Sequence, residues 1–279
     1  MLPKVDFLGC PMSRLIVGDN PVNGHTYIQD IISKDDMLGY YTEDAVLRAM
    51  EHSASLGYTA WMPLGNDFML RVIYHYIQRH DNFRWIFQSY APIDFAVNLR
   101  MMAEVHPLGI YHRGTDTDGL CEAGQYQLIR ERIKMIQALG IKAGLGTHVP
   151  ETMLRAEYEN WGCDFYVACL HNTRRREDAA PSAFITGKPK SIQFHMEDRA
   201  IMLKAIREVQ KPVIAFKLLA GGQIYEDIPA SQYAAATKAA LRESFDGMKP
   251  GDIGAVGCFQ RDKDQLCENA DIFNSLYGN

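Results

Sequence analysis

Three histidines fall at the ends of consecutive short apolar runs. His112 closes "LGIYH", His148 closes "IKAGLGTH", and His171 lies near the end of "DFYVACLHN". Imidazole changes charge near neutral pH and can donate, accept or ligate through its ring nitrogens. One of three rings brought to one rim could take a proton-transfer role, or the three could hold a divalent metal with an open fourth position as catalytic zinc sites do. Lys217 is set inside a further apolar run, "VIAFKLLAGG". An unpaired ammonium in such a run is costly, so it must reach water at a mouth or find a partner. Burial or a neighbouring charge would bias it toward acid–base or imine chemistry. His112, His148, His171 and Lys217 are therefore the candidate catalytic groups. A single histidine at a strand end is commonly a hydrogen-bonded structural residue; the recurrence on successive runs is what points to a site. His52, His75, His80 and His106 fall in helical or loop stretches and read as surface residues.

Other polar residues gather at the same kind of position. The first apolar run is followed by Asp19, Asn20, Asn23 and His25, the second by Asn66 and Asp67, and the third ends on Gln88 and Ser89. Arg113, Asp116 and Asp118 follow His112, Asn172 follows His171, and Gln260 and Arg261 follow the last run. Asn20, Asn23, His25, Asn66, Gln88, Arg113 and Asn172 are the candidate substrate contacts. Amides, acids and imidazoles without an aromatic cage suit a small polar substrate. The arginines at 174–176 open the longest irregular stretch, 173–191, expected as a loop over the mouth. They read as a solvated face, with an anion clamp as the alternative.

The elements that would position these groups follow from the pattern. Apolar runs rich in Ile, Val, Phe and Tyr occupy 13–20, 58–64, 83–90, 108–112, 141–148, 164–172, 212–219 and 253–259, without strict alternation. That suits parallel strands covered on both faces. Amphipathic stretches lie between them. One begins after Thr42 and stops at Gly57, one spans 122–140, one starts at Pro150, and others span 196–209 and 262–276 or follow Asp67, Phe95 and Pro229. Eight strands alternating with about eight helices predict a (β/α)8 TIM barrel, as a single domain over 1–279. A doubly wound sheet is less favoured, because "GDNPVNG" is not the Gly-rich turn of a dinucleotide fold. The first fourteen residues fit a hairpin across the N-terminal end of the barrel.

Composition bounds the function classes. The 279 residues are 47% apolar and 23% charged, with a net charge of −5. That is ordinary for a soluble globular chain, and it lacks the basic excess of a nucleic-acid surface. No run reaches the apolar length of a membrane helix, and the opening "MLPKVDFLGCPMSRLIVG" lacks the pattern of a secretory leader. The six cysteines have no CxxC pair and fall mainly in apolar runs, as reduced core residues of a cytoplasmic protein would.

The ordered set "MSRLIVGDNP", "LGIYH", "IKAGLGTHVPETMLRAE", "KLLAGG" and "VGCFQRDKDQLCENA" resembles the aldo-keto reductase superfamily over most of the chain. The resemblance implies a TIM barrel, an NADP(H) cofactor and reduction of a carbonyl. It matches His112 to the family's catalytic-site histidine and Glu268 and Asn269 to the pair touching adenine. It puts Arg261 or Lys263 where the 2′-phosphate is contacted, with Gln260 beside them. The chain departs from the family where the chemistry is done. Its tetrad is Asp, Tyr, Lys and His. Here "TAWMPLGNDF" supplies neither the aspartate nor a tyrosine at the right distance, and Gln88 or Ser89 replaces the lysine. Tyr90 and Tyr111 lie nearby in sequence.

Three functions are open on this reading. One is an NADP(H)-linked oxidoreductase on a small polar carbonyl, sugar or hydroxy compound, with a rebuilt catalytic set. Another is a metal-dependent or cofactor-free lyase, isomerase or hydrolase on a sugar-like substrate. The third is a non-catalytic barrel that binds a nucleotide and regulates a partner.

Overall fold

The computed structural model describes residues 1–174 and 192–278, so the expected loop at 173–191 lies almost wholly outside the described residues. Strands β1 (Lys4–Phe7) and β2 (Cys10–Ser13) form an antiparallel hairpin. Strands β3 (Leu15–Gly18), β4 (Ala60–Met62), β5 (Arg84–Gln88), β6 (Gly109–His112), β7 (Lys142–Thr147), β8 (Phe165–Cys169), β9 (Val213–Phe216) and β10 (Ile253–Gly257) pair in parallel and close into an eight-stranded barrel. The helices are α1 (Lys34–Tyr40), α2 (Glu43–Ser55), α3 (Asp67–Ile77), α4 (Phe95–Ala103), α5 (Gly114–Glu122), α6 (Tyr126–Gln137), α7 (Pro150–Tyr158), α8 (Glu197–Glu208), α9 (Tyr233–Gly247) and α10 (Gln265–Tyr277). The chain is a (β/α)8 TIM barrel.

Local chemistry agrees with these boundaries. Thr42, Asn66 and Asp264 each accept a backbone N–H at a helix start, and Pro150 opens α7 where a missing N–H costs nothing. Side chains on a strand alternate between faces, which splits the core in two. Ile16, Ala60, Met62, Ile86, Tyr111, Phe165, Val167, Ile214, Ile253 and Ala255 fill the barrel interior, and Phe7 and Met12 of the hairpin close its N-terminal end. The larger cluster lies between the barrel and the helices. Gly144 is one reason the interior packs: a Cβ there would stand 2.4 Å from Phe165 Cζ and 2.7 Å from Tyr111 Cβ.

Two local features differ from the sequence expectation. The stretch expected as one helix over 122–140 is α6 alone, and the polar run after His112 is a helix of its own, α5, with Gly124 at φ +70° between them. Two polar residues of α5, Thr117 and Asp118, turn inward and are paired. Thr117 Oγ1 donates to the Arg113 carbonyl at 3.1 Å, and buried Asp118 accepts from Thr147 Oγ1 at 2.5 Å. Second, the segment after β3 carries α1 and is tied to the end of β10. Tyr41 and Tyr40 donate to the carbonyls of Cys258 and Gln260 at 2.5 and 3.1 Å. Cys163, Cys169 and Cys258 are core residues as expected, whereas Cys10, Cys121 and Cys267 are partly exposed, and all six are free.

Candidate active site

The three histidines do not converge. Tyr111 belongs to the barrel interior, so His112, the next residue, faces outward into the helix layer. There it is fully buried beside Phe95 of α4. Arg132 of α6 donates to its Nε2 at 3.0 Å, which leaves Nδ1–H to donate to Thr117 Oγ1 at 2.7 Å. Burial, with the Arg132 charge added, pushes its pKa down to about 3. The expectation that His112 lies at the mouth is corrected: its ring ties β6 to α5 and α6 in the helix layer.

His148 and Asn172 line a separate cavity of about 70 Å³ with Asp198. His148 Nδ1 lies 2.7 Å from Asp118 Oδ2, and the Asn172 N–H donates to Asp198. His171 is buried against the Phe194 ring; its Nδ1–H donates to the His195 carbonyl at 3.0 Å, and burial chiefly lowers its pKa to about 4. Among the described residues no group of three His, Cys, Asp or Glu side chains is placed to hold a metal ion. His52, His75 and His80 lie at the surface, each beside a carboxylate. Arg174 pairs with Glu122, and the two arginines after it lie outside the described residues.

The larger cavity holds about 320 Å³ and runs from the barrel centre to the last helix. Met62, Gln88, Tyr111 and Phe216 line its inner end. Asp19, Asn20, His25 and Lys217 line its mouth, Gly221, Gly222 and Tyr225 its middle, and Lys263, Gln265, Glu268 and Asn269 its far end. Lysine, aspartate, tyrosine and glutamine thus face one space from β3, β5, β6 and β9, at the C-terminal rim where barrel strands deliver functional groups.

Asp19 is a strongly perturbed acid of this set. Its Oδ2 accepts from the Leu64 N–H and from Asn23 Nδ2, both at 2.6 Å, while Oδ1 takes neither bond. Burial raises its pKa from 3.8 to about 7 and outweighs those hydrogen bonds, which favour the anion. Asn66 caps α3 through Oδ1 and donates through Nδ2 to Asn23 Oδ1 at 2.6 Å, so Asn66 and Asn23 hold Asp19 from behind. The buried Tyr111 hydroxyl donates to Gln88 Oε1 at 2.9 Å, and burial pushes its pKa well above 10.

Lys217 has φ +60°, a strained value for a residue with a Cβ, and such strain gathers at functional sites. Its Nζ sits 3.6 Å from the centre of the Tyr27 ring and 4.5 Å from that of Phe194. Gly221, at φ +60°, lets the following turn approach Tyr27, because a Cβ there would meet Tyr27 Cδ2 at 2.5 Å.

Of the expected substrate contacts, Asn20, His25 and Gln88 line the large cavity; Asn23 and Asn66 support it, and Asn172 lines the other one. The Arg113 N–H donates to Ser89 Oγ, and its guanidinium is near enough to His25 and Tyr111 to act on both electrostatically. Of the expected cofactor contacts, Lys263, Glu268 and Asn269 line the far end. Gln260 instead braces the start of α10 through Leu266 N–H and Asp264, and Arg261 pairs with Asp36 and Asp262. Asp19 and Tyr111 were the residues hardest to single out in advance. The only signal was their place at strand ends, with nothing to show which face each takes.

The fold and this rim define a TIM barrel with a polar cavity reaching from its mouth to its last helix. No family profile and no curated protein matches the chain. Solved structures do. A truncated 3-deoxy-D-arabino-heptulosonate 7-phosphate synthase from Thermotoga maritima is 10% identical, with 99% of this chain and 91% of that one covered and a TM-score of 0.57. A proposed 2,5-diketo-D-gluconic acid reductase B is 12% identical, with 98% and 86% covered and a TM-score of 0.56. A dihydropteroate synthase from Yersinia pestis is 10% identical, with 97% and 95% covered and a TM-score of 0.54. Likeness at this identity shows the fold, shared by synthases and a reductase alike. No helix among the described residues is long and apolar enough to cross a membrane.

Proposed function

We propose that the protein is an NADP(H)-linked oxidoreductase of the aldo-keto-reductase kind, acting on a small polar carbonyl or hydroxy compound, with Asp19 in the proton-transfer role. One observation carries this reading. The cavity that holds Asp19, Gln88 and Tyr111 is continuous with the one lined by Lys263, Glu268 and Asn269. These last are the residues that the family resemblance assigns to the adenosine end of the cofactor. A site for a small molecule alone would need only the inner end.

The residues present fit a dinucleotide in part. Glu268 and Asn269 offer acceptors and donors at the far end, and Lys263 offers a cation that now pairs with Glu268. A bound nicotinamide would supply hydride to the carbonyl carbon. Asp19 holds a proton at Oδ1 for the carbonyl oxygen and keeps its carboxylate, once formed, on the Leu64 N–H and Asn23. With a pKa near 7 it serves as acid in reduction and as base in the reverse direction. The Tyr111 hydroxyl and Gln88 orient the substrate oxygen, and Phe216 and Met62 give the inner end its apolar walls. His112 has no part in this chemistry.

The cofactor-free alternative routes the reaction through an imine on Lys217. Two aromatic faces around its Nζ suit an ammonium rather than a nucleophilic amine, which favours the reductase reading. The test is NADPH oxidation, followed at 340 nm, with a panel of small aldehydes, keto acids and ketoses. Turnover that Asp19→Asn lowers by roughly 100-fold or more supports the reading. Turnover unchanged in that variant removes Asp19 from it. Trapping of an imine by borohydride, with no NADPH consumed, replaces the reading with the lyase.

A further inference from the structure

We propose that the substrate carries an oxyanion, a carboxylate or a phosphate ester, and that Lys217 and Arg113 hold it at the mouth. The inference rests on the oxidoreductase reading of the same cavity and names its substrate class.

Most basic side chains placed against the barrel are engaged. Arg132 donates to His112, Arg199 pairs with Glu243, Arg261 with Asp36, and Lys249 with Asp252. Lys217 and Arg113 differ. Lys217 Nζ lines the cavity, and no carboxylate of the described residues lies within ion-pairing distance; its neighbours are the faces of Tyr27 and Phe194. The Arg113 guanidinium makes no hydrogen bond or ion pair with a described residue, although its backbone is fixed by Ser89 and Asp116 feels its charge.

Both cations act on one point. His25 lines the same mouth, and its pKa is lowered first by partial burial and then by the charges of Arg113, Lys217 and Lys34. This is a local positive field, since no carboxylate of the described residues pairs directly with either cation. An ammonium lining the cavity and a guanidinium close enough to act on the same imidazole match an oxyanion, the first as a point charge and the second by paired hydrogen bonds. Asp19, which lines the mouth, is largely protonated below about pH 7 and does not repel such a group. The Tyr27 and Phe194 rings hold the ammonium in place before the ligand arrives, which lowers the ordering cost of binding.

The test is calorimetric titration of the full chain with glycolate, inorganic phosphate and neutral ethylene glycol at constant ionic strength, with and without NADP+. Glycolate or phosphate should bind at least ~10-fold more tightly than ethylene glycol, and Lys217→Met or Arg113→Met should each weaken the anion by ~10-fold or more. Lys217→Arg should keep most of the affinity, which separates charge from folding. The stronger of the two anions tells carboxylate from phosphate ester. Anion binding without any NADPH-linked turnover keeps the clamp and removes the oxidoreductase reading. Equal binding of ethylene glycol, or anion binding indifferent to both methionine variants, overturns the clamp. Mutual exclusion of phosphate and NADP+, with both lost in Lys217→Met, also overturns it, by giving Lys217 to the cofactor's diphosphate.

Discussion

Asp19→Asn tests the electrostatics of the mouth without any substrate. The rise from 3.8 to about 7 means that the folded chain holds this proton more tightly than the unfolded chain does. The stability it contributes is complete below about pH 4 and is lost as pH rises through about 7. At 1.36 kcal/mol per pKa unit, the loss over that window is about 4 kcal/mol. Asparagine keeps the shape and an oxygen for the Leu64 N–H and Asn23 Nδ2, but does not ionise. Urea unfolding of wild type and variant, measured side by side from pH 4.5 to 8.5, isolates this one group, since other titrations are common to both. The variant should gain on wild type by about 3 kcal/mol between pH 4.5 and 8.5, nearly all of it below about pH 7.5. Parallel stability curves would refute the burial argument and with it the assignment of Asp19 as an acid near neutrality.

Other consequences are quickly checked. His112→Ala should destabilise the fold by ~2–4 kcal/mol in urea melts, because it opens a cavity and strips Arg132 of its acceptor, yet leave NADPH affinity within about twofold. Gly144→Ala should cost ~1–3 kcal/mol by overpacking the barrel interior against Phe165 and Tyr111. Gly221→Ala should push the Tyr27 ring away from Lys217 and cost ~1–3 kcal/mol in strain, with a matching fall in anion affinity by calorimetry. In reduction, kcat/KM should fall as pH rises through about 7, and this limb should vanish in whatever activity Asp19→Asn retains.

The barrel was legible because buried parallel strands leave short apolar runs, and amphipathic helices leave a wider repeat between them. The strand ends were legible too, since polarity must return where a strand leaves the core. The direction of each side chain was not. In "LGIYH" both faces of the strand are covered, so Tyr111 and His112 look alike in sequence. Only the closed barrel shows that Tyr111 goes to the interior and His112 to the helices. Asp19 was visible as a polar strand end, but its raised pKa depends on Leu64 and Asn23 enclosing it. The run after His112 looked like an open site because it is polar; Thr117 and Asp118 instead brace α5 and tie it to β7, a use that only tertiary pairing reveals.

The central claim is that the barrel mouth and the last helix form one working site. Calorimetric titration of NADPH into the wild-type chain and into Glu268→Ala, Lys263→Ala and Phe216→Ala addresses it directly. The account predicts saturable one-to-one binding that variants at both ends of the cavity weaken by ~10-fold or more. No binding at millimolar NADPH, or binding that none of the three variants alters, would contradict it.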